Sequence, residues 1–171
     1  MEHIHCVSEV NPGEISFTIY TKPVPLQRHR HAQKIRKKYV TPHLPHCPQY
    51  ITTYDPQRDE KEAHRLVMRH ALVQHSPTLK DLPLVGPLFV TVRFYFELPK
   101  TKSLRDKKGL YHHQKPDLDN CVKFICDVMN DSIIYKDDSS IYKIDAAKLF
   151  TLGEARTEII IREVEQIKGS I

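Results

Sequence analysis

The stretch Leu88-Phe89-Val90-Thr91-Val92-Arg93-Phe94-Tyr95-Phe96-Glu97 is the strongest strand signal in the chain, dense in β-branched and aromatic residues. Residues of that kind suit a pleated surface, and a strand this apolar must be covered by other elements. Two helical stretches supply the cover. Asp55-Pro56 reads as an N-cap followed by proline at the first helical position. From there to about His75, the residues Ala63, Leu66, Val67, His70 and Ala71 fall at the spacing of one helix face. The second helix spans about Leu118 to Asn130, with Leu118, Cys121, Val122, Ile125, Val128 and Met129 at helical spacing. Ile15–Tyr20 alternates as a first strand, and two more strand-like segments cover about 140–151 and 156–164. The order β-α-β-α-β-β predicts an α/β (α+β) fold. The expected arrangement is a small two-layer sandwich of a four-stranded mixed sheet with both helices packed on one face.

A chain of 171 residues is expected to form one domain, here 15–165, between a loose segment 1–14 and a tail 166–171. No apolar run approaches the roughly 18 residues of a membrane span, and the N-terminus carries no signal-peptide pattern. Cys6, Cys47, Cys121 and Cys126 do not make a dense disulfide framework, so a reduced, cytoplasmic setting is expected. The net charge is +5, and its distribution says more than its size. From Ile15 to Tyr54 there is no acidic residue, while Lys22, Arg28, Arg30, Lys34, Arg36, Lys37 and Lys38 fall in that stretch with His29 and His31 between them. A solvated basic loop is one reading. Its place between a strand and a helix favours a polyanionic partner, and so long a loop inside a compact domain is usually functional.

The acids are concentrated elsewhere. Lys115-Pro116-Asp117-Leu118-Asp119-Asn120 opens the second helix, Lys123 follows one turn in, and Lys136-Asp137-Asp138-Ser139 comes just beyond it. Two residues apart within a helix, Asp117 and Asp119 would point about 200° apart. They converge only if Asp117 lies at the N-cap or before it, where Pro116 helps to place it. Helix capping and the helix dipole account for part of this pattern, and Lys123 is placed for an i,i+4 ion pair with Asp119. Neither explains the adjacent pair Asp137-Asp138. Gathered carboxylates ask for a cation, and hard oxygen donors suit Mg²⁺, which leaves positions open for water and phosphate. In a basic chain this points to phosphodiester chemistry.

These motifs resemble the RusA-type Holliday-junction resolvases, small metal-dependent endonucleases of bacteria and phages. The resemblance rests on Lys115–Asn120 with Lys123 and Asp127, on Tyr135–Ser139, and more loosely on the segment from Lys22-Pro23-Val24-Pro25 through Gln27-Arg28 to Tyr39-Val40-Thr41-Pro42. It implies a homodimer that nicks a four-way DNA junction symmetrically with Mg²⁺ or Mn²⁺. It implies no nucleotide cofactor and no membrane partner. Asp117, Asp119 and Asp138 match the family's metal-site acids, Asp137 a supporting acid, and Lys123 the catalytic lysine. Lys22, Arg28, Arg30, Lys34, Arg36, Lys37, Lys38, Lys115 and Lys136 are then the expected DNA contacts. The chain around His43–Cys47 and Lys100–His113 is longer than the family's compact form.

Other readings remain. His3, His5 and Cys6 with His43, His46 and Cys47 offer zinc-type ligands, without a familiar finger spacing. An EF-hand at Asp117–Asn120 fails for want of the glycine and glutamate that loop requires. Cys121 and Cys126 read as core residues. A DNA-binding protein without catalysis, and a nuclease of broader branched-DNA or flap specificity, are the functional alternatives.

Overall fold

The computed structural model describes residues 4–28, 30–35, 49–74, 82–99, 111–130 and 134–164, with the backbone alone at 30–35 and 49–52. The elements are β1 His5–Asn11, β2 Glu14–Tyr20, β3 Arg30–Ile35, β4 Gln49–Tyr54, α1 Arg58–Val73, β5 Leu88–Glu97, α2 Leu118–Asn130, β6 Ile141–Thr151 and β7 Arg156–Glu163. They form a mixed α+β architecture. The strands β1-β2-β7-β5-β6 lie in that order in one sheet, and β3 and β4 pair separately. β5 and β6 are parallel, and the other neighbours in the main sheet are antiparallel. A parallel pair needs a crossover between its strands, and α2 is the helix of that crossover.

Burial follows the expected periodicities in β2, β5, β7 and α2, but not in α1. Of the face expected there at Ala63, Leu66, Val67, His70 and Ala71, Leu66 is 64 % exposed and His70 is exposed. The helix instead buries Lys61, His64, Met68, Ala71 and Leu72, a face rotated toward its polar clamp with α2. In β5 the residues Leu88, Val90, Val92, Phe94 and Phe96 point inward, and their alternate neighbours are only half-buried. Ile15, Phe17 and Ile19 of β2 and Ile159 and Ile161 of β7 extend the same face. Both helices cover it: α1 through Met68 and Leu72, α2 through Cys121, Phe124, Ile125, Val128 and Met129. Each large apolar side chain so buried contributes about 1.5–3 kcal/mol by transfer from water. None of the described helices is long and apolar enough to cross a membrane.

The sheet differs from expectation in having five strands rather than four. The added strand lies in residues 1–14, expected to be loose, where β1 pairs with β2 from His5↔Tyr20 to Asn11↔Glu14. The turn between them is Pro12-Gly13, with Gly13 at φ +70°, a left-handed conformation that glycine adopts without a Cβ penalty. Proline followed by glycine is the sequence signature of a type II turn, so this hairpin had a local signal. The long basic loop also holds structure, since β3 and β4 pair antiparallel from Arg30↔Tyr54 to Ile35↔Gln49.

Helix α1 starts at Arg58, slightly later than expected, because Asp55 is used otherwise. Its Oδ1 accepts from the backbone N–H of Gln57 at 2.9 Å, and its Oδ2 accepts from Lys61 Nζ at 2.7 Å. The same ammonium donates to Asp127 Oδ2 of α2 at 2.8 Å, and Arg65 Nη2 donates to the Asp127 carbonyl at 3.0 Å. Lys61 is only 6 % exposed. This is a polar clamp between the two helices.

His64, one turn beyond Lys61, is also buried, with its ring edge-on to Phe124 at 5.2 Å and its Nδ1 donating to the Glu60 carbonyl at 2.8 Å. Burial pushes its pKa below the ordinary histidine value, against a smaller opposing pull from Glu60. A histidine depressed in the folded state takes up a proton more readily when unfolded. Its stabilising contribution is therefore complete above about pH 6.5, the unfolded value, and is lost as the pH falls below it. The urea midpoint should drop between pH 7.5 and pH 5, and His64→Asn should make that fall shallower. Parallel urea titrations of the two proteins at both pH values provide the check.

Candidate active site

The start of α2 fixes the first acid pair. The backbone N–H of Cys121 donates to the Asp117 carbonyl at 3.2 Å, the first bond of the helix, so Asp117 stands at the cap position. Asp117 and Asp119 are both exposed. Lys123 Nζ lies 3.2 Å from Asp119 Oδ2, with both side chains more than half exposed, at 60 % and 65 %. The hydrogen bond from Lys123 holds the Asp119 carboxyl below the usual carboxylate range. An ion pair this wet does little for folding, so its groups are free to serve something else.

The second pair follows two buried residues, Ile134 and Tyr135. Leu84 N–H donates to the Ile134 carbonyl at 2.8 Å, and Leu84 bridges to Tyr135 in parallel, which pins this return beside the segment leading into β5. Asp137 caps the short 3₁₀ turn Asp138–Ser140, its Oδ1 accepting from Ser139 N–H at 2.8 Å. Ser139 accordingly depresses the Asp137 pKa. Asp138, first residue of the turn, is exposed.

Both acid pairs act on α2. The Cys121 thiol is pushed up to about 11 by burial first, with Asp117 and Asp119 adding to it and Lys148 opposing. Cys126 is likewise raised to about 11 by burial, then by Asp138 and Asp127. Cys121 is thus an inert thiol in the packed face of the helix, as expected, whereas Cys126, also expected to fill core space, is only partly buried and stands outside the core cluster. The four acids nonetheless do not form a closed cluster: among the described residues, no three His, Cys, Asp or Glu side chains stand together as a ready-made ion site. Their chemistry still fits a hard cation. All are water-facing carboxylates, and Mg²⁺ typically takes one or two of these and keeps several waters.

Lys148 of β6, which sequence reasoning did not single out, holds the acids' approach segment. Its Nζ donates to the Gln114 carbonyl at 2.6 Å and also to the Pro116 carbonyl, while its own carbonyl accepts from His112 N–H at 2.9 Å. Residues 112–116 are thereby strapped to the sheet immediately before Asp117. No local sequence signal marks this lysine, because its partners are backbone carbonyls brought to it by the fold. For the endonuclease activity that the sequence resemblance implies, Lys148→Met should lower turnover by about 10- to 100-fold, the usual cost of losing an outer-shell support, with KM for DNA changing less. Steady-state cleavage kinetics would separate the two parameters.

Part of the basic stretch lies beside the acids. Leu26 N–H donates to the Asn120 carbonyl at 2.8 Å, Gln27 N–H to Gln57 Oε1 at 2.6 Å, and Gln57 Nε2 to the Pro25 carbonyl at 3.1 Å. These bonds lay the segment carrying exposed Lys22 and Arg28 across the start of α2. Lys115 and Lys136 are exposed next to the two acid pairs. Arg30 and Lys34 belong to the backbone of β3, and Arg36, Lys37 and Lys38 lie outside the described residues. Of the zinc-type ligands, His3, His43, His46 and Cys47 are also outside them. His5 stacks on Tyr20 at 4.4 Å, and Cys6 Sγ lies 3.7 Å from the Val7 carbonyl.

On the same side, a cavity of about 770 Å³ opens at one end of the sheet. Its wall includes Gln114, Lys115 and Pro116, the residues that lead directly to Asp117.

The profile of the family Endodeoxyribonuclease RusA matches residues 21–162, which takes in the basic segment, both helices and both acid pairs. A relative from Bacillus subtilis (strain 168), the uncharacterized protein YqaN, is 33 % identical over 159 residues, covering 88 % of this chain and 96 % of its own length. With the acid–helix–acid arrangement on the expected helix and the family match running through it, the chain belongs to the RusA family of Holliday-junction-resolving endodeoxyribonucleases.

Proposed function

We propose that this protein is a divalent-metal-dependent endonuclease that resolves four-way DNA junctions by paired nicks, as a homodimer, in recombination and repair. The observation that carries the reading is the hydrogen bond from Leu26 to Asn120, which sets the segment bearing Lys22 and Arg28 against the helix start bearing Asp117, Asp119 and Lys123. A protein that only binds DNA gains nothing from exposed acids beside its phosphate contacts.

Asp117, Asp119 and Asp138 would hold Mg²⁺ or Mn²⁺, with Asp137 keeping the Asp138 turn in shape through its bond to Ser139. When bound, the ion supplies Lewis-acid polarisation of the phosphate and a more acidic water. The chain's own residues do the rest. Lys123, held at Asp119, presents an ammonium where charge develops on the phosphoryl oxygens. Lys22, Arg28, Lys115 and Lys136 contact phosphates and set the register of the strand without reading sequence. A junction offers two symmetric phosphates, and a dimer offers two such sites.

Incubation with a synthetic four-way junction in Mg²⁺, beside linear duplex and flap controls, tests the reading. Paired, ligatable nicks confined to the junction are the expected result. Equal cutting of flaps would assign a broader branched-DNA nuclease. Tight junction binding with no nicking in Mg²⁺ or Mn²⁺ would leave a structure-selective DNA-binding protein.

A further inference from the structure

β6 is the outermost strand of the main sheet, paired with β5 on one side. An outer strand presents a row of unpaired N–H and C=O groups, a template for another strand. The far end of β6 is already used on its outer side. Tyr111 bridges Leu149 antiparallel there, and His112 N–H donates to the Lys148 carbonyl at 2.9 Å. From Ile141 to Ala147, nothing among the described residues pairs with that side. Because the Lys148 carbonyl points outward, alternation turns the backbone groups of Ala146 and Ile144 outward as well. The register with β5 is regular from Lys143 onward, so the alternation is unbroken there.

The core face of the sheet runs out uncovered at this edge. Ile144 lies opposite Val90 and Ala146 opposite Val92, so both belong to the face the helices cover. Val90 is fully buried, whereas Ile144 is 41 % exposed and Tyr142 beside it 58 % exposed. Lys143 and Asp145 stand on the other face, opposite Phe89 and Thr91. Lys143 Nζ sits over the Phe89 ring at 4.6 Å, and Arg93 Nη2 donates to Asp145 Oδ2 at 2.8 Å.

Ile144 is the centre of the free stretch, and the sequence around it is complementary to itself. Two β6 strands can pair antiparallel about a two-fold axis at Ile144. Ile144 then meets its own copy, and each Lys143 faces Asp145 of the second chain. Opposite charges directly across an antiparallel pair attract, and like charges repel. Moving the axis by one residue sets Lys143 against Lys143, or Asp145 against Asp145, so the charges select one register. Self-complementarity is what a two-fold interface demands. The outer strand at the other edge, β1, lacks it: about its middle residue Ser8, Val7 would face Glu9.

We infer that two copies of this chain join edge to edge through β6, antiparallel about Ile144, into one continuous sheet. Lys143–Asp145 pairs lie on the face away from the helices, and Ile144 closes the core face. This gives an interface to the homodimer of the nuclease reading and rests on that reading only for the use made of the pair. Asp138 lies six residues before Ile144, so each acid turn sits within roughly 20 Å of the axis at about 3.3 Å per residue. The axis relates the two proposed sites, as symmetric nicks require.

The test is the oligomeric state of the DNA-free full chain at micromolar concentration, read by light scattering and native mass spectrometry. The samples are the unaltered protein, K143D, D145K and an equal mixture of the two variants. The unaltered protein should be a dimer. Either variant alone sets like charges opposite each other twice and should weaken dimerisation on the order of ten- to a hundredfold. The mixture restores both opposite-charge pairs and should give one-to-one heterodimers, which also shows that the variants are folded. A monomeric unaltered protein, variants that dimerise as tightly as it does, or well-folded variants that fail to recover on mixing overturn the interface. If either variant melts early, Ile144→Pro decides instead, since proline at an edge position removes only an outward N–H. Monomers are then expected, and a surviving dimer overturns the interface. Junction nicking is scored separately. Nicking by a dimer indifferent to these substitutions overturns the interface and keeps the nuclease reading, whereas a β6 dimer that nicks nothing does the reverse.

Discussion

Asp138→Asn is expected to reduce junction cleavage by on the order of a thousandfold, the scale on which single groups stabilising transition-state charge act, while leaving junction affinity within a few-fold. The two halves of that result have separate physical reasons. Asparagine keeps the shape of the side chain but removes the charge and one hard oxygen, which weakens any hold on a divalent ion. Asp138 is exposed on a surface turn whose capping bond comes from its neighbour Asp137, so the fold has little to lose. Nicking rates at saturating protein, beside binding isotherms for the same junction, measure both halves. Undiminished cleavage would move the reactive centre away from this turn. Loss of binding together with cleavage would mean that Asp138 shapes the DNA surface instead.

The largest effect on stability is expected at Lys61, far from any phosphate. Burial alone would lower its pKa, but hydrogen bonds and attraction to Asp127 and Asp55 outweigh it and hold the ammonium above its ordinary value. A raised lysine contributes stability that is complete below its unfolded value of about 10.4 and lost only as the pH rises through the folded one, so the clamp is at full strength at neutral pH. Removing one partner of a buried ion pair costs about 3–5 kcal/mol, because the remaining charges are left uncompensated. Asp127 is 44 % exposed and Asp55 22 %, which places Lys61→Ala near the low end, at about 3 kcal/mol. For a domain of this size that is a fall of roughly 6–12 °C in Tm. Differential scanning calorimetry at pH 7 gives the number directly. An unchanged Tm would show that α1 and α2 are held by their apolar faces alone.

The motif that carries the family resemblance was legible because it is written locally. Asp117, Asp119 and Lys123 lie within two turns of one helix, and the cap position of Asp117 follows from Pro116 and the apolar spacing of the residues after it. β5, α2, β6 and β7 were also legible, since each carries the period of its own element over many residues. β1 was missed although Pro12-Gly13 marked its hairpin, because a short edge strand with one polar face reads as a loose terminus when its partner is not in view.

What lay beyond the sequence comes from long-range contacts. Lys148 reaches back more than thirty residues, to the carbonyls of Gln114 and Pro116. Lys61 pairs with Asp127 sixty-six residues away, and Leu26 meets Asn120 only when α2 is laid on the sheet. The cavity is assembled from the starts and ends of several strands. Sequence patterns record the period of each element. They do not record which charged or aromatic side chain the folded sheet will place opposite another. The sequence by itself determined the helix and the acids and lysine on it that are proposed to react. The tertiary structure decided what supports that helix, which basic segment lies beside it, and what space opens next to the acids.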